Sequence, residues 1–553
     1  MKLVLLRPAM KHADLIFPDG PRLSIPLGLL YLGGVFQKDP QVQVTILDAF
    51  AHPDLATLEH AEPPFLFGWN TAQIVEHLAE LEPDMVGISS TAIPFFENTV
   101  ALVQAIKLRW PSLFVFAGGG DATARSDQYF QKAPLLDAII QGEAEESLRE
   151  LVQSHIAGQS WQQIPSLCYV QDQKFVQNPR RPFCRNLDAL RPDFSLIDME
   201  HYFQLGRVGF LSRVSFQYPK SYRAIHLVTS RGCPYNCSFC SIHLHMGRVY
   251  RSHSAEYILQ LLQELKDTYD IRHVYFEDDH LLMQKSELSK LLQGMIDRKL
   301  NLTWSTPNGV RADGISMELA ALMKASGCLY LVLGVESGSQ ETLQKVHKNL
   351  DLQKLETSIQ ACRANALDAF GFYIFGFPHE KIADIQNTLN FSIRLYQKYR
   401  FVPFIHLFKP LWGTDLYKEI EQNQRHYLID ATKIFGPRDF KIPHFLFGPK
   451  MIETENFKLA DLAKFYRKYM MQIALRSFWY WFVAVGRRPK VLLHHLAVLL
   501  RDLLRHPLKM DKVLLIYFWH VWIYPNSCLS QYSKGVATHL CDFLKPARAL
   551  AGK

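Results

Sequence analysis

Apolar residues follow two rhythms over about the first 150 positions: short unbroken runs, and stretches in which they recur every three to four residues. The runs Leu3–Leu6, Val42–Leu47, Met85–Ile88, Leu113–Ala117 and Ala138–Ile140 are too short for helices and carry no polar alternation. That is the pattern of strands buried on both faces of a parallel sheet. Between them, Leu27–Phe36, Thr71–Leu81, Glu97–Arg109 and Ala144–Val152 keep the helical period. The alternation predicts an α/β, Rossmann-like doubly wound domain over residues 1–155.

The rhythm then breaks. Residues 156–222 predict a linker holding a hairpin, Leu167–Val176, and a run Asn178-Pro179-Arg180-Arg181-Pro182 in which proline favours an extended course and the arginines face solvent. From residue 223 to 416 strand and helix alternate again, with strands at Ile225–Thr229, His273–Phe276, Leu302–Ser305, Tyr330–Gly334, Ala369–Phe375 and Pro403–Phe408. Six such units make a partial (β/α)6 barrel, whose functional residues belong at the carboxyl ends of its strands.

Residues 417–553 predict a mostly helical region. Ser477–Val485 is dense in aromatics. Lys490–Arg505 sets Leu492, Leu493, Leu496, Leu499, Leu500, Leu503 and Leu504 on one stripe with basic neighbours, and Val513–Tyr524 is apolar but too short to span a bilayer. Such a region serves either as a lid packed on the barrel mouth or as a peripheral contact with a membrane surface; both suit a hydrophobic small-molecule substrate.

Charge narrows the partners little, since a net +8 on 553 residues is only modestly basic. The chain shows no nucleic-acid-binding module, so no nucleic acid is expected as partner. Nine cysteines are few for this length and no secretory leader precedes them, which points to a reducing, cytoplasmic setting.

Three of those cysteines lie together in Thr229-Ser230-Arg231-Gly232-Cys233-Pro234-Tyr235-Asn236-Cys237-Ser238-Phe239-Cys240. Thiolates at CxxxCxxC spacing can hold three irons of a 4Fe-4S cubane and leave the fourth open to a small molecule. A zinc site using His243 or His245 and a disulfide with a spare thiol are the competing readings. With Phe239 at the aromatic position, the run resembles the cluster motif of the radical S-adenosylmethionine (SAM) enzymes. In that family SAM chelates the open iron, and its reductive cleavage gives a 5′-deoxyadenosyl radical.

The resemblance extends to later strand ends and implies their roles. Glu277-Asp278-Asp279 is similar to the acidic motif that engages the amino group of SAM, with Asp278 and Asp279 as the contacts. Glu336 and Ser337, in Gly334-Val335-Glu336-Ser337-Gly338-Ser339, fall at the ribose and carboxylate contact. Gly376, in Gly376-Phe377-Pro378, falls at an adenine contact, although His379 and Lys381 depart from the family pattern. Arg311 either pairs with the methionyl carboxylate or forms an ion pair with Asp313. Cys328 and Cys362 read as buried small residues.

In the first domain the positions just after the strands are Ser89-Ser90-Thr91, Gly118-Gly119-Gly120 and Gly142-Glu143, where ligands of such sheets bind. Together with Ile46-Leu47-Asp48-Ala49, Ala122-Thr123 and Glu145 they resemble the cobalamin-binding domain fused to many radical SAM enzymes. The Asp-x-His-x-x-Gly motif of cobalamin mutases is absent, and Asp121 stands where relatives often carry histidine. No histidine here is therefore expected to ligate cobalt from below, His12 being the one residue placed to do so. A domain that has lost cobalamin and serves as a substrate-docking wall is the alternative.

The combination implies a cobalamin-dependent radical SAM enzyme, most often a methyltransferase acting on an unactivated carbon. A cyclase or rearrangement enzyme, or a non-enzymatic cobalamin sensor, would keep parts of the same pattern. The family also implies an electron donor such as flavodoxin or ferredoxin.

Overall fold

The computed structural model describes residues 1–12, 24–52, 65–205, 223–423, 427–430 and most of 450–473. Seven strands form the first sheet: β1 (Lys2–Arg7), β2 (Gln43–Asp48), β3 (Met85–Ser89), β4 (Phe114–Gly118), β5 (Ala138–Ile140), β6 (Leu167–Gln171) and β7 (Lys174–Gln177). Their order is β2-β1-β3-β4-β5-β6-β7, and the first five are parallel.

Alternate residues explain the apolar runs. Val4, Leu6, Ile88, Val115 and Ile139 enter the core on one face, while Leu3, Leu5, Met85, Phe116 and Ile140 enter the core on the other. Both faces are covered, so neither tolerates polar alternation. The strand order reverses between β1 and β3, which puts the ligand crevice of such a sheet at their carboxyl ends.

The hairpin expected inside the linker belongs to this sheet. Its first strand, β6, pairs antiparallel with β5 through Ile139–Cys168 and Ile140–Leu167, and Leu167, Cys168 and Tyr169 are buried. An apolar face of that size is spent on a core. Nor is Arg181 solvated: it pairs with Glu150 and donates to Ser147 Oγ.

The second sheet runs in sequence order: β8 (Ala224–Leu227), β9 (His273–Phe276), β10 (Thr303–Arg311), β11 (Cys328–Glu336), β12 (Asp368–Phe375) and β13 (Val402–Leu407). All neighbours are parallel. β8 and β13 do not pair, so the barrel is partial. β10 and β11 run longer than their apolar cores, through register shifts at Thr306/Val310 and Gly334/Glu336. Bulges of this kind re-aim side chains at the ends of strands.

Four of the helices around the barrel start on a polar cap. Ser254, Ser316, Asp351 and Thr414 accept backbone N–H groups of the first turn, which fixes where each chain reversal begins. After the barrel come the helix Asp415–Gln422 and an antiparallel pair, Tyr427–Asp430 with Lys450–Glu453. The aromatic and leucine-rich stretches between residues 477 and 524 lie outside the described residues. Among the described residues no helix is long and apolar enough to cross a membrane.

Candidate functional site

The cysteine loop leaves the carboxyl end of β8, as the barrel requires. Gly232 has φ +83°, and a Cβ there would stand 2.4 Å from the Val249 carbonyl oxygen, so only glycine takes this turn. The backbone N–H of Cys233 bonds to the Gly247 carbonyl and that of Ser238 to the Val346 carbonyl, while the Ser238 carbonyl accepts from Leu416 N–H. All three thiols are free and half-buried.

Burial raises all three, Cys240 to about 12. The Lys348 ammonium and the Arg311 guanidinium pull Cys233 and Cys237 the other way. Thiolates need such cations nearby. No three His, Cys, Asp or Glu side chains among the described residues gather tightly enough for a single ion. His245 turns away from the thiols of the loop, buried against Gly120 of the first domain.

Phe239 packs on Phe377, which follows β12, with ring centroids 5.4 Å apart. That turn is held by Glu380, whose Oε2 accepts from Gly376 N–H at 2.8 Å and Phe377 N–H at 3.0 Å. Burial drives the Glu380 carboxyl up to about 8. Gly376 itself has φ +85°.

Asp278 and Asp279 serve the loop in different ways. Asp278 is buried, and its Oδ1 accepts from Thr229 N–H, Thr229 Oγ1 and Ser230 Oγ, tying the start of the cysteine loop to the end of β9. Asp279 lies half-buried beside the Gly232 amide, its pKa raised to about 7 by burial and by Asp278. Glu277 pairs with His226 at 2.9 Å, and its carbonyl accepts from Asn308 Nδ2.

Glu336 ends β11 in the left-handed region at φ +65°, and its Oε1 accepts from Lys348 Nζ at 2.8 Å. A non-glycine residue held there is strained, a condition that gathers at functional sites. Ser337 is fully buried and bonded to Thr388 Oγ1 and Ser339 N–H, so its hydroxyl is spent on the turn. Arg311 takes the ion-pair alternative: its fork grips Asp313 at 2.8 and 3.0 Å. Its remaining face donates to the Lys348 and Asn349 carbonyls and stacks on Tyr235 of the cysteine loop. A fork so filled braces the loop and leaves no bidentate grip for a carboxylate.

Several buried polar atoms here have no protein partner: Asp278 Oδ2, Ser238 Oγ and both ring nitrogens of His280, which stacks on Tyr235. Such orphans, at the carboxyl ends of the neighbouring strands β8 and β9, mark a site built for a polar ligand. The donor set therefore fits a cubane with SAM beside it. Sequence reasoning missed Lys348, His280 and Glu380. His280 and Glu380 adjoin motifs already singled out, whereas nothing local distinguishes Lys348.

In the first domain the expected ligand residues divide. Thr91 is exposed, and Ser89 and Gly118 are half-buried at the carboxyl edge, where a Cβ on Gly118 would touch only the Ile140 carbonyl oxygen at 3.4 Å. Gly119, at φ +104°, closes on the Ser90 carbonyl. Gly120 and Gly142 approach His245, whose Nδ1 is buried and unpartnered. That edge fits a large ligand laid along it.

Ser90 and Glu143 do not face the edge. Ser90 Oγ is 2.6 Å from Tyr129 OH in a buried network with Asp121 and Arg125, and Glu143 is consumed by Arg251 and the Cys184 N–H. His12 ends the short strand Met10–His12, and its side chain lies outside the described residues.

Comparison with known proteins matches residues 227–392 to the radical SAM superfamily and residues 22–152 to a B12 binding domain. The chain is 27% identical over 398 residues to an uncharacterized methyltransferase of Pyrococcus horikoshii, covering 71% of this chain and 78% of that one. It is 27% identical over 421 residues to the cytidylyl-2-hydroxyethylphosphonate methyltransferase of Streptomyces wedmorensis, covering 71% and 77%. It is also 24% identical over 398 residues to the anaerobic magnesium-protoporphyrin IX monomethyl ester cyclase of Rubrivivax gelatinosus, covering 70% and 66%.

Among solved structures, the cobalamin-dependent SAM radical enzyme OxsB, with aqua-cobalamin and SAM bound, superposes with TM-score 0.61 at 15% identity, over 100% of this chain and 79% of that one. The radical SAM methyltransferase TsrM of Kitasatospora setae gives 0.60 at 18% identity over 80% of each chain. At such identities these likenesses show the fold.

Proposed function

Because the chain belongs to the cobalamin-dependent radical SAM enzymes, with a 4Fe-4S cluster, SAM and cobalamin as its cofactors, we propose that it is a methyltransferase acting on an unactivated carbon of a hydrophobic small molecule. When bound, the cluster with SAM supplies a 5′-deoxyadenosyl radical and cobalamin supplies the methyl group. Per methyl transferred, one SAM would leave as S-adenosylhomocysteine and a second as methionine and 5′-deoxyadenosine, which carries off the hydrogen of the acceptor carbon; a donor of flavodoxin or ferredoxin type would supply two electrons, one for SAM cleavage and one to restore the cobalamin for the next methyl.

The protein's part is to hold, orient and keep dry. Cys233, Cys237 and Cys240 hold the cluster, with Lys348 and Arg311 nearby to offset thiolate charge. Asp279, Glu336 and His280 line the polar side of the site, and the Gly376–Phe377 turn, fixed by Glu380, offers backbone to an adenine.

The observation that carries the choice of acceptor is the inner wall of β12 and β13. Phe372 and Ile374 on one strand, and Phe404 and His406 on the other, are half-buried while their neighbours Tyr373, Phe375, Ile405 and Leu407 are buried against the helices. Phe372 reaches across to Gly309 of β10, so it points into the barrel, and its ring meets His406 edge-on at 5.4 Å. Burial, and after it the nearby Lys409 ammonium, lower His406 to about 4 and keep its ring neutral. Such a wall favours an apolar or aromatic acceptor.

The test uses SAM carrying a trideuteriomethyl group, with extract of a strain lacking the gene as the source of acceptor. The expected product is heavier than its precursor by one trideuteriomethyl group. A product formed together with 5′-deoxyadenosine but without the label would reject methyl transfer in favour of cyclisation or rearrangement, the reading that the cyclase among its relatives supports.

A further inference from the structure

The cysteine loop is closed at its base by a clasp. Ser230 and Arg231 pair antiparallel with Ser252 and Arg251, and all three cysteines lie between the two ends. Both clasp arginines reach out of the barrel into the first domain. Arg231 Nη2 stands 2.7 Å from Glu145 Oε1 and its Nη1 3.4 Å from Glu143 Oε1, while Arg251 Nη1 lies 2.7 and 2.9 Å from the two Glu143 oxygens.

All four side chains are at least nine-tenths buried, with exposures of 9, 8, 7 and 5% for Arg231, Glu145, Glu143 and Arg251. Two acids and two bases cancel. The remaining polar atoms are also met: Arg251 donates to the Cys184 and Met246 carbonyls, and Glu143 accepts from Cys184 N–H. Glu145 opens the helix Glu145–Ile156, where an anion is favoured, and the Tyr31 ring lies 5.0 Å from the Arg231 guanidinium.

A buried ion cluster is a costly way to join two domains, since packed apolar side chains would do so with less desolvation. What charged forks add is fixed geometry. The loop they hold turns at Gly232 and Gly247, with φ +83° and +77°. Glu143 and Glu145 follow Gly142 at the end of β5, on the same edge that bears Ser89, Thr91 and Gly118.

We propose that Glu143, Glu145, Arg231 and Arg251 are positioning residues that set the separation and orientation of the cluster relative to cobalamin. The proposal rests on both cofactors loading, and it adds that the first domain, through this clasp, fixes where the cysteine loop stands. Breaking one fork leaves each cofactor bound and changes the geometry between them.

The full-length holoprotein tests it. In Glu145→Gln, iron and cobalamin per chain should match wild type, while the electron paramagnetic resonance coupling between cob(II)alamin and the reduced cluster changes in magnitude. Formation of 5′-deoxyadenosine should persist, while methyl incorporation per 5′-deoxyadenosine falls by up to about a hundredfold, the scale of a misplacement near 1 Å. Arg251→Lys, which keeps the charge and loses the fork, should shift the coupling in the same direction by less, and it carries the test if Glu145→Gln does not fold. Wild-type coupling and a wild-type ratio in a fully loaded variant would overturn the proposal while leaving the methyltransferase reading intact. A wild-type protein that takes up no cobalamin would overturn both.

Discussion

Lys348 and Glu336 form a buried ion pair, 2.8 Å apart, beside the cysteine loop, and each is there because of the other. Glu336 sits at φ +65° where a strand would not place it, and Lys348 comes from the loop after the helix Gln340–Lys345. Burial opposes the charge on Lys348, yet Glu336 and the nearby Cys237 raise its pKa. Removing the cation therefore strands an anion and leaves Cys233 and Cys237 with the Arg311 guanidinium alone as counter-charge.

Lys348→Met is accordingly expected to cost about 3–5 kcal/mol of stability, the penalty for an unpaired buried charge. Iron retained after anaerobic reconstitution should fall with it. Chemical denaturation and iron analysis read the two effects separately. A variant with wild-type stability and full iron would refute this role for the pair.

Gly232→Ala should disable the loop without touching a ligand. Besides backbone strain of about 1–3 kcal/mol at φ +83°, the new Cβ would overlap the Val249 carbonyl. The outcome expected is a folded barrel, normal by circular dichroism, with little iron.

Asp278→Ala removes the three hydrogen bonds that tie Thr229 and Ser230 to β9. At about 1 kcal/mol each the loss is about 3 kcal/mol, offset in part by no longer burying a carboxylate whose pKa is raised to about 6. The cluster should load more slowly and be lost more readily to a chelator. Asp278→Asn, which keeps an acceptor, should restore most of the retention.

Glu380 gives a pH signature. Its folded pKa, about 8, lies above the ordinary 4.5, so between those values the folded state keeps a proton that the unfolded chain has released. Stability from this group is complete below about pH 4.5 and falls as pH rises toward 8, by up to about 1.4 kcal/mol per unit. Glu380→Gln should unfold like wild type at pH 5 and resist unfolding better than wild type at pH 9. Parallel pH profiles for the two proteins would contradict the assignment.

The fold was legible because its signal is local. Runs such as Met85–Ile88 and His273–Phe276 are buried on both faces, and each strand lies within a residue or two of its apolar run except β10, which runs six residues on to Arg311. That extension passes through Gly309 and a register shift at Thr306/Val310, which periodicity does not signal; the shift at Gly334/Glu336 ends β11 in the same way.

The residues proposed to hold the cluster stand out in the sequence, and those that support them do not. Cys233, Cys237 and Cys240 announce themselves by spacing, whereas Lys348 reaches Glu336 across 12 residues of chain that carry no pattern. Glu143 was misassigned for a physical reason: a glutamate after a strand reads as a ligand until the arginines that consume it, 88 and 108 residues away in the chain, are brought to it by the fold.

The most direct measurement is iron, sulfide and electron paramagnetic resonance analysis of protein purified without oxygen, beside Cys240→Ala. Wild type should hold four irons per chain, show a reduced-cluster signal that shifts when SAM is added, and form 5′-deoxyadenosine; the variant should lose cluster and cleavage while still binding cobalamin. Zinc in place of iron, a disulfide among these thiols, or SAM cleavage retained by Cys240→Ala would contradict it.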